Sequence, residues 1–143
     1  MPDKRILRGA AAGAAAAAVW AAQERIDMRV FGVDYSDAEL LAKPFGGSPA
    51  IGAPLHLANG AVFGAFYSLV APRVGGPGWQ KGAAAGMTEH LATWPITRFI
   101  PGVNLYGTHR AFAQAVWRHL LFGVTLGALE ESLNEGYAET APA

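Results

Sequence analysis

The decapeptides HLANGAVFGA (residues 56–65) and HLLFGVTLGA (residues 119–128) repeat one pattern within a chain of 143 residues. Each places a histidine four residues before a glycine, and a second glycine follows four residues later. Two related stretches, RGAAAG (8–13) and KGAAAG (81–86), precede the decapeptides in the same order. Side chains four residues apart lie on one face of an α-helix. The sequence therefore predicts a duplicated helical hairpin, in which a first pair of helices recurs as a second pair.

Four mainly apolar segments carry these repeats and predict an all-α chain that forms a single domain over residues 1–143. The four helices are predicted at about residues 8–23, 55–72, 82–100 and 111–129, with a polar connection at 23–54 and a loose acidic tail at 135–143. Within the connection, SDAELL predicts a short helix with Ser36 as its N-cap and Glu39 completing a capping box. Pro95 predicts a kink or an end in the third helix, because proline lacks the backbone donor.

The composition and the uncharged runs favour a membrane location. Apolar residues make up 52% of the chain and charged residues 15%, against about 25% charged in an ordinary soluble domain. Residues 9–22 and 57–71 contain no charged side chain, whereas a soluble helix normally has a charged face. We therefore predict a four-helix transmembrane bundle in the bacterial inner membrane, with both termini in the cytoplasm. The alternative is a soluble alanine-rich bundle, since alanine is only weakly apolar.

Glycines spaced four residues apart occur in all four predicted helices. In a lipid environment, small residues at this spacing let two helix backbones approach closely. We interpret the pairs as helix-packing stripes, and the alternative is a groove that admits a flat ligand. The glycines concerned are Gly9, Gly13, Gly60, Gly64, Gly82, Gly86, Gly123 and Gly127.

The two repeats place His56 and His119 at equivalent positions. Two histidines can ligate one haem iron from opposite sides, and neighbouring glycines would leave room for the macrocycle. This is one hypothesis for the pair, and the other is that each histidine hydrogen-bonds across a helix interface. No other cofactor is predicted.

Glu89 and His90 lie in the middle of the third predicted helix, where the first repeat has Ala16 and Ala17. An ionisable residue within a membrane span is costly and is therefore a candidate for function. A buried carboxylate has a raised pKa and can exchange a proton near neutral pH. The alternative is a glutamate satisfied by a neighbouring helix. No metal site is predicted, because the paired Glu-x-x-His motifs of di-metal bundles are absent from the sequence.

The remaining features narrow the functional classes. The formal net charge of zero argues against nucleic-acid binding, which requires a basic patch. Neither a Ser-His-Asp arrangement nor a phosphate-binding loop is recognisable, so we predict no enzymatic activity. The leading hypothesis is a structural or interaction component of a membrane assembly, in contact with the lipid bilayer and acting as a homo-oligomer or as a subunit of a larger complex. The alternatives are a small transporter or proton-coupled protein that uses Glu89, and a haem-binding electron-transfer subunit.

Three motifs resemble those of the YagU-like uncharacterised small bacterial inner-membrane proteins. They are the GAAAG helix starts, the Glu-Arg-x-Asp-x-Arg stretch at 24–29 and the two His-x-x-x-Gly-x-x-x-Gly segments. The resemblance covers about residues 5–134. It implies a four-helix membrane protein without an established reaction, and it identifies no catalytic residue in this chain.

Overall fold

The computed structural model of the protein describes residues 3–100 and 105–138. These residues contain five α-helices, joined by loops and short 3-10 turns. They are α1 (Lys4–Phe31), α2 (Asp37–Ala42), α3 (Pro49–Val70), α4 (Gly78–Thr93) and α5 (His109–Ala138). The 3-10 turns cover Lys43–Phe45, Ala71–Arg73 and Trp94–Phe99.

Local sequence signals explain where several helices begin and end. The Asp3 carboxylate accepts a hydrogen bond from the backbone N–H of Arg5 at the start of α1. Gly32 ends α1 in the left-handed conformation, with a φ of 66°, which costs glycine no steric strain. The predicted short helix in the connection is confirmed as α2, and its N-cap Ser36 accepts from the N–H of Glu39. At Pro95, α4 gives way to a 3-10 turn, as the sequence predicts.

Helices α1 and α3 pack as an antiparallel pair through their glycines. A methyl group placed on Gly13 would lie within 3.0 Å of the Gly60 backbone, and one on Gly64 would meet the Gly9 and Gly13 backbones. Any larger residue would therefore force the two backbones apart. Further along α1, the buried residues Ala16 and Ala17 continue this helix face into the hydrophobic core.

Helices α4 and α5 repeat this packing with the equivalent residues. A methyl group on Gly82 would lie within 3.0 Å of both the Gly123 and the Gly127 backbones. Gly86 approaches the carbonyl oxygen of His119 and the Cα of Gly123. Gly78, which the sequence analysis did not include, approaches the Gly127 carbonyl. Both predicted helix pairs thus meet along their glycine faces.

Helices α1 and α5 contact each other and join the two pairs. At one end of this contact Arg118 is fully buried, and its Nε and Nη2 donate to the Asp27 carboxylate at 2.7 and 2.6 Å. At the other end Arg5 donates to the buried Glu130 at 2.8 Å. The hydroxyl of Tyr67 on α3 donates to the carbonyl of Gly78 on α4 and links the two outer helices.

The prediction of a transmembrane bundle is wrong. Among the residues that the structure describes, none of the helices combines the length and the apolar character needed to cross a bilayer. The uncharged run in α1 consists mostly of alanine and glycine, which are weakly apolar. Helix α4 has 16 residues and includes Glu89 and His90, and α5 carries Arg118. This finding also contradicts the predicted inner-membrane location, the predicted orientation and the predicted multi-pass topology.

The observed helix limits also differ from the predicted ones. Helix α1 extends the first predicted helix to Phe31, since charged residues after Ala22 continue it. Helix α5 runs to Ala138 and includes the first residues of the predicted acidic tail. The rest of that tail lies outside the described residues.

Candidate functional site

A cavity of about 350 Å³ lies where α1, α3, α4 and α5 meet the chain segments around α2 and after α4. Its walls are mainly apolar and aromatic, but they include three of the four histidines and one carboxylate that pairs with one of them. Small-molecule sites typically combine an apolar wall with a few polar groups in this way. The polar side chains of the wall that are described below are those of Trp20, His56, Glu89, His90 and His119.

Glu89 and His119 form an ion pair at the cavity wall. The Nε2 atom of His119 lies 2.7 Å from Oε2 of Glu89. The Nδ1 atom of the same ring lies 2.7 Å from the carbonyl oxygen of Ala115, one turn earlier in α5. A carbonyl oxygen only accepts, so Nδ1 carries a proton. With Glu89 ionised, both ring nitrogens donate and His119 is an imidazolium.

The electrostatics of His119 follow from this geometry. Burial lowers the pKa of His119, but the hydrogen bond and negative charge of Glu89 outweigh burial and hold the pKa above its ordinary value. In this ion pair the negative charge of Glu89 neutralises the positive charge of His119. The Thr93 hydroxyl donates to the backbone carbonyl of Glu89 at 2.9 Å and lies 3.4 Å from the Glu89 carboxylate.

His90 lies beside the pair and, unlike His119, is uncharged. The side chain is 1% exposed, and its ring centroid is 4.7 Å from that of His119. Burial, reinforced by the positive charge of His119, lowers the pKa of His90 to about 4. His90 is thus neutral at physiological pH, and its Nε2 has no hydrogen-bond partner in the protein.

Two further side chains of the cavity wall carry buried nitrogens without a partner. They are Nε1 of Trp20 and Nε2 of His56, and each side chain is 7% exposed. The two rings contact each other edge to face, with centroids 5.3 Å apart. A buried polar group left without a hydrogen bond costs about 1–3 kcal/mol. Together with His90, three residues that line the cavity thus carry a buried nitrogen without a hydrogen-bond partner in the protein.

The asymmetry between the repeats explains why Nε2 of His56 has no hydrogen-bond partner although Nε2 of the equivalent His119 does. In the second repeat Glu89 supplies the carboxylate for His119. The equivalent position in the first repeat is Ala16, which is fully buried and offers no polar atom. The duplicated pattern thus places two similar histidines in one cavity, and one substitution makes their chemistry different.

The structure brings together all four polar residues that the sequence analysis singled out. His56, Glu89, His90 and His119 line the same cavity, whereas the eight predicted glycines lie at the helix-pair contacts described above. Gly60 alone contributes to both the packing contact and the cavity wall.

The haem hypothesis requires room for a macrocycle between His56 and His119. Both imidazoles contact the indole of Trp20 edge to face, with centroids 5.3 and 4.9 Å away. A macrocycle held between the histidines would have to displace this indole. Within residues 3–100 and 105–138, no group of three or more carboxylates and histidines is arranged to hold a metal ion.

Sequence reasoning missed the role of Trp20 and of the residues that hold the cavity together. Arg118 donates to Asp37 at 2.5 Å and to the Tyr35 carbonyl at 3.2 Å. These bonds fix the chain where α2 begins, and both Tyr35 and Asp37 form part of the cavity wall. The only available signal was the placement of oppositely charged residues in the connection and in α5, which does not by itself identify a pair.

Comparison of the chain with protein-family models, with curated proteins and with solved structures finds no match in any of the three. The resemblance to the YagU-like proteins therefore stays a prediction.

Proposed function

We propose that this protein binds a small, mainly apolar molecule in the cavity beside the Glu89–His119 pair. The observation that carries this proposal is the set of buried, unpartnered nitrogens in the cavity wall, on Trp20, His56 and His90. Groups of this kind are rare in folded proteins and call for an explanation when they occur. A ligand with a polar atom would satisfy at least one of them and cover the surrounding aromatic wall.

The size and the walls of the cavity support the same role. A volume of about 350 Å³ lies at the lower end of the range for small-molecule sites. Phe63 and Phe122 pack edge to face with centroids 5.5 Å apart, and Trp20 packs against Phe122. These rings supply apolar contacts for a ligand, while the Glu89–His119 pair supplies a polar group at a fixed position in the wall.

A thermal-shift screen with small aromatic and alicyclic compounds tests the proposal, because a ligand that binds only the folded state raises the melting temperature. Asn59→Trp is the informative variant, since Asn59 is an exposed residue of the cavity wall that a large side chain would obstruct. Ala58→Trp is the matched control, because Ala58 is also exposed on α3 but does not line the cavity.

We expect stabilising compounds to act on the wild type and on Ala58→Trp but not on Asn59→Trp. If no compound stabilises the wild type, or if Asn59→Trp responds as fully as the control does, the cavity is not a binding site and the proposal fails.

A second candidate function is self-association through α3. Val62, Phe66, Leu69 and Val70 lie on one face of α3, and each is more than two-fifths exposed, Phe66 the most at 66%. Their spacing of four, three and one residues forms a continuous stripe along the helix. An exposed apolar stripe of this kind commonly marks an interface.

Sedimentation analysis of the wild type and of Phe66→Glu tests this second candidate. We expect a dimer that Phe66→Glu dissociates, while Phe45→Glu leaves it intact because the exposed Phe45 lies off the stripe, in the turn after α2. A wild type that sediments as a monomer at high concentration would exclude it.

A further inference from the structure

The unpartnered indole N–H of Trp20 restricts the chemistry of a ligand. Tryptophan donates through Nε1 and has no acceptor. The side chain is more than nine-tenths buried and lines the cavity, and Nε1 has no partner in the protein. The ligand atom that satisfies Trp20 must therefore be a hydrogen-bond acceptor.

The charges around the cavity restrict the ligand further. The positive charge of His119 is already neutralised by Glu89, and the carboxylate of Asp37 is paired with Arg118. Among the described residues of the cavity wall there is thus no unpaired cation. An anionic ligand would lose its hydration without gaining a counter-charge, which disfavours its binding.

The aromatic side chains of the wall indicate what kind of apolar group the ligand carries. Trp20, Phe63 and Phe122 form a chain of edge-to-face contacts on one part of the wall. Trp94 packs against His90 on another, with centroids 5.5 Å apart. Aromatic edges and faces of this kind favour a ring-containing partner.

We propose that the cavity selects an uncharged, ring-containing molecule with a carbonyl-type acceptor, and that the Trp20 N–H donates to this acceptor. This inference rests on the proposed small-molecule function and adds the chemical class of the ligand. It gives Trp20 a specificity role separate from its packing in the core.

Three probes of similar size separate the contributions to binding: acetophenone, which has a ring and a neutral acceptor; ethylbenzene, which lacks the acceptor; and benzoate, which carries a charge. Affinities are measured by titration of the intact protein near neutral pH. We expect acetophenone to bind about tenfold more tightly than ethylbenzene, as one hydrogen bond predicts, and benzoate to bind most weakly.

The variant Trp20→Phe keeps a ring but removes the donor. We expect it to abolish the preference for acetophenone over ethylbenzene. Trp94→Phe is the matched control, because Trp94 also lines the cavity but its indole nitrogen is not among the buried, unpartnered atoms. The control should keep the preference.

A second measurement does not depend on a variant that folds. In the wild type, the indole proton resonance of Trp20 should shift downfield with acetophenone but not with ethylbenzene. A lack of this difference would contradict a hydrogen bond to Trp20.

The possible outcomes separate this inference from the proposed function. Tight binding of benzoate, or equal binding of acetophenone and ethylbenzene, overturns the ligand class while leaving the cavity a binding site. If none of the three probes binds, the ligand class is overturned, and the thermal-shift screen decides whether the cavity binds other molecules.

Discussion

Arg118 is the residue that links α5 to α1 and to the start of α2. Its side chain is fully buried and donates to Asp27 and Asp37, which belong to α1 and to the start of α2. The ring of Tyr35 also lies below the guanidinium carbon, with 4.5 Å between that carbon and the ring centroid. Burial alone lowers the pKa of Arg118, but its bonds to Asp27 and the nearby Asp37 outweigh burial and raise it above its ordinary value. The residue is charged at any physiological pH.

Replacing Arg118 with Met should lower the free energy of unfolding by about 3–5 kcal/mol, because the Asp27 carboxylate would be left buried without its counter-charge. Chemical denaturation measures this change. Arg110→Met is the control on the same helix, since Arg110 is exposed, and it should change stability by less than about 0.5 kcal/mol. If Arg118→Met is as stable as the wild type, the buried hydrogen-bond network does not hold the fold together.

The Glu89–His119 pair should make stability depend on pH in a defined direction. The pKa of His119 is raised in the folded state, whereas in the unfolded chain it is about 6.5. The pair's contribution to stability is therefore fully present below pH 6.5 and is lost as the pH rises through the folded-state pKa.

Glu89→Gln should thus destabilise the protein by about 1–2 kcal/mol near pH 6, since the carboxylate is partly exposed and screened. The difference from the wild type should shrink at pH 10. Denaturation at the two pH values measures it, and Glu39→Gln, at an exposed carboxylate, serves as the control without such a trend. A difference that is constant with pH would contradict an ion pair.

At the scale of the helices, the two glycine-lined contacts determine how each pair assembles. Gly13 and Gly82 each occupy a position where a methyl group would fall within 3.0 Å of backbone atoms of the partner helix. Alanine has the higher helix propensity by about 1 kcal/mol, so local propensity and packing oppose each other at these positions. Backbone atoms cannot rotate away from a clash as side chains do, so packing should decide the outcome.

Gly13→Ala and Gly82→Ala should each destabilise the protein by about 1–3 kcal/mol, the usual cost of overpacking. Thermal denaturation would show this as a drop of several degrees in the melting temperature. Ala15→Val, at an exposed position of α1, adds larger volume without a clash and should have little effect. Stabilisation by either glycine replacement would contradict the close approach of the backbones.

The helices and their partners could be predicted from the sequence because both depend on local patterns. Glycines at a spacing of four residues mark the contact faces, and the matched decapeptides indicate which helices form equivalent pairs. Ser36 and Pro95 mark boundaries through their own backbone chemistry. The ion pair between Glu89 and His119 follows from no local pattern, since it joins residues of two different helices that lie far apart in the chain.

At the scale of the whole molecule, two features were not readable from the sequence. The arrangement of the two helix pairs depends on the α1–α5 contact and on Arg118, whose partners in the chain precede it by more than 80 residues. The cavity exists only because of that arrangement. The membrane prediction failed for a different reason: a run of alanine and glycine lacks charge but is also weakly apolar, so the absence of a charged face is a poor guide in such helices.

Chemical-shift mapping of the isotope-labelled protein during titration with acetophenone is the most direct test of the account. The account predicts that the largest shifts cluster at the cavity wall, on the indole of Trp20 and on the backbones around Glu89 and His119. Shifts concentrated elsewhere, for example along the exposed face of α3 around Phe66, or none at millimolar concentration, would contradict a ligand site in this cavity.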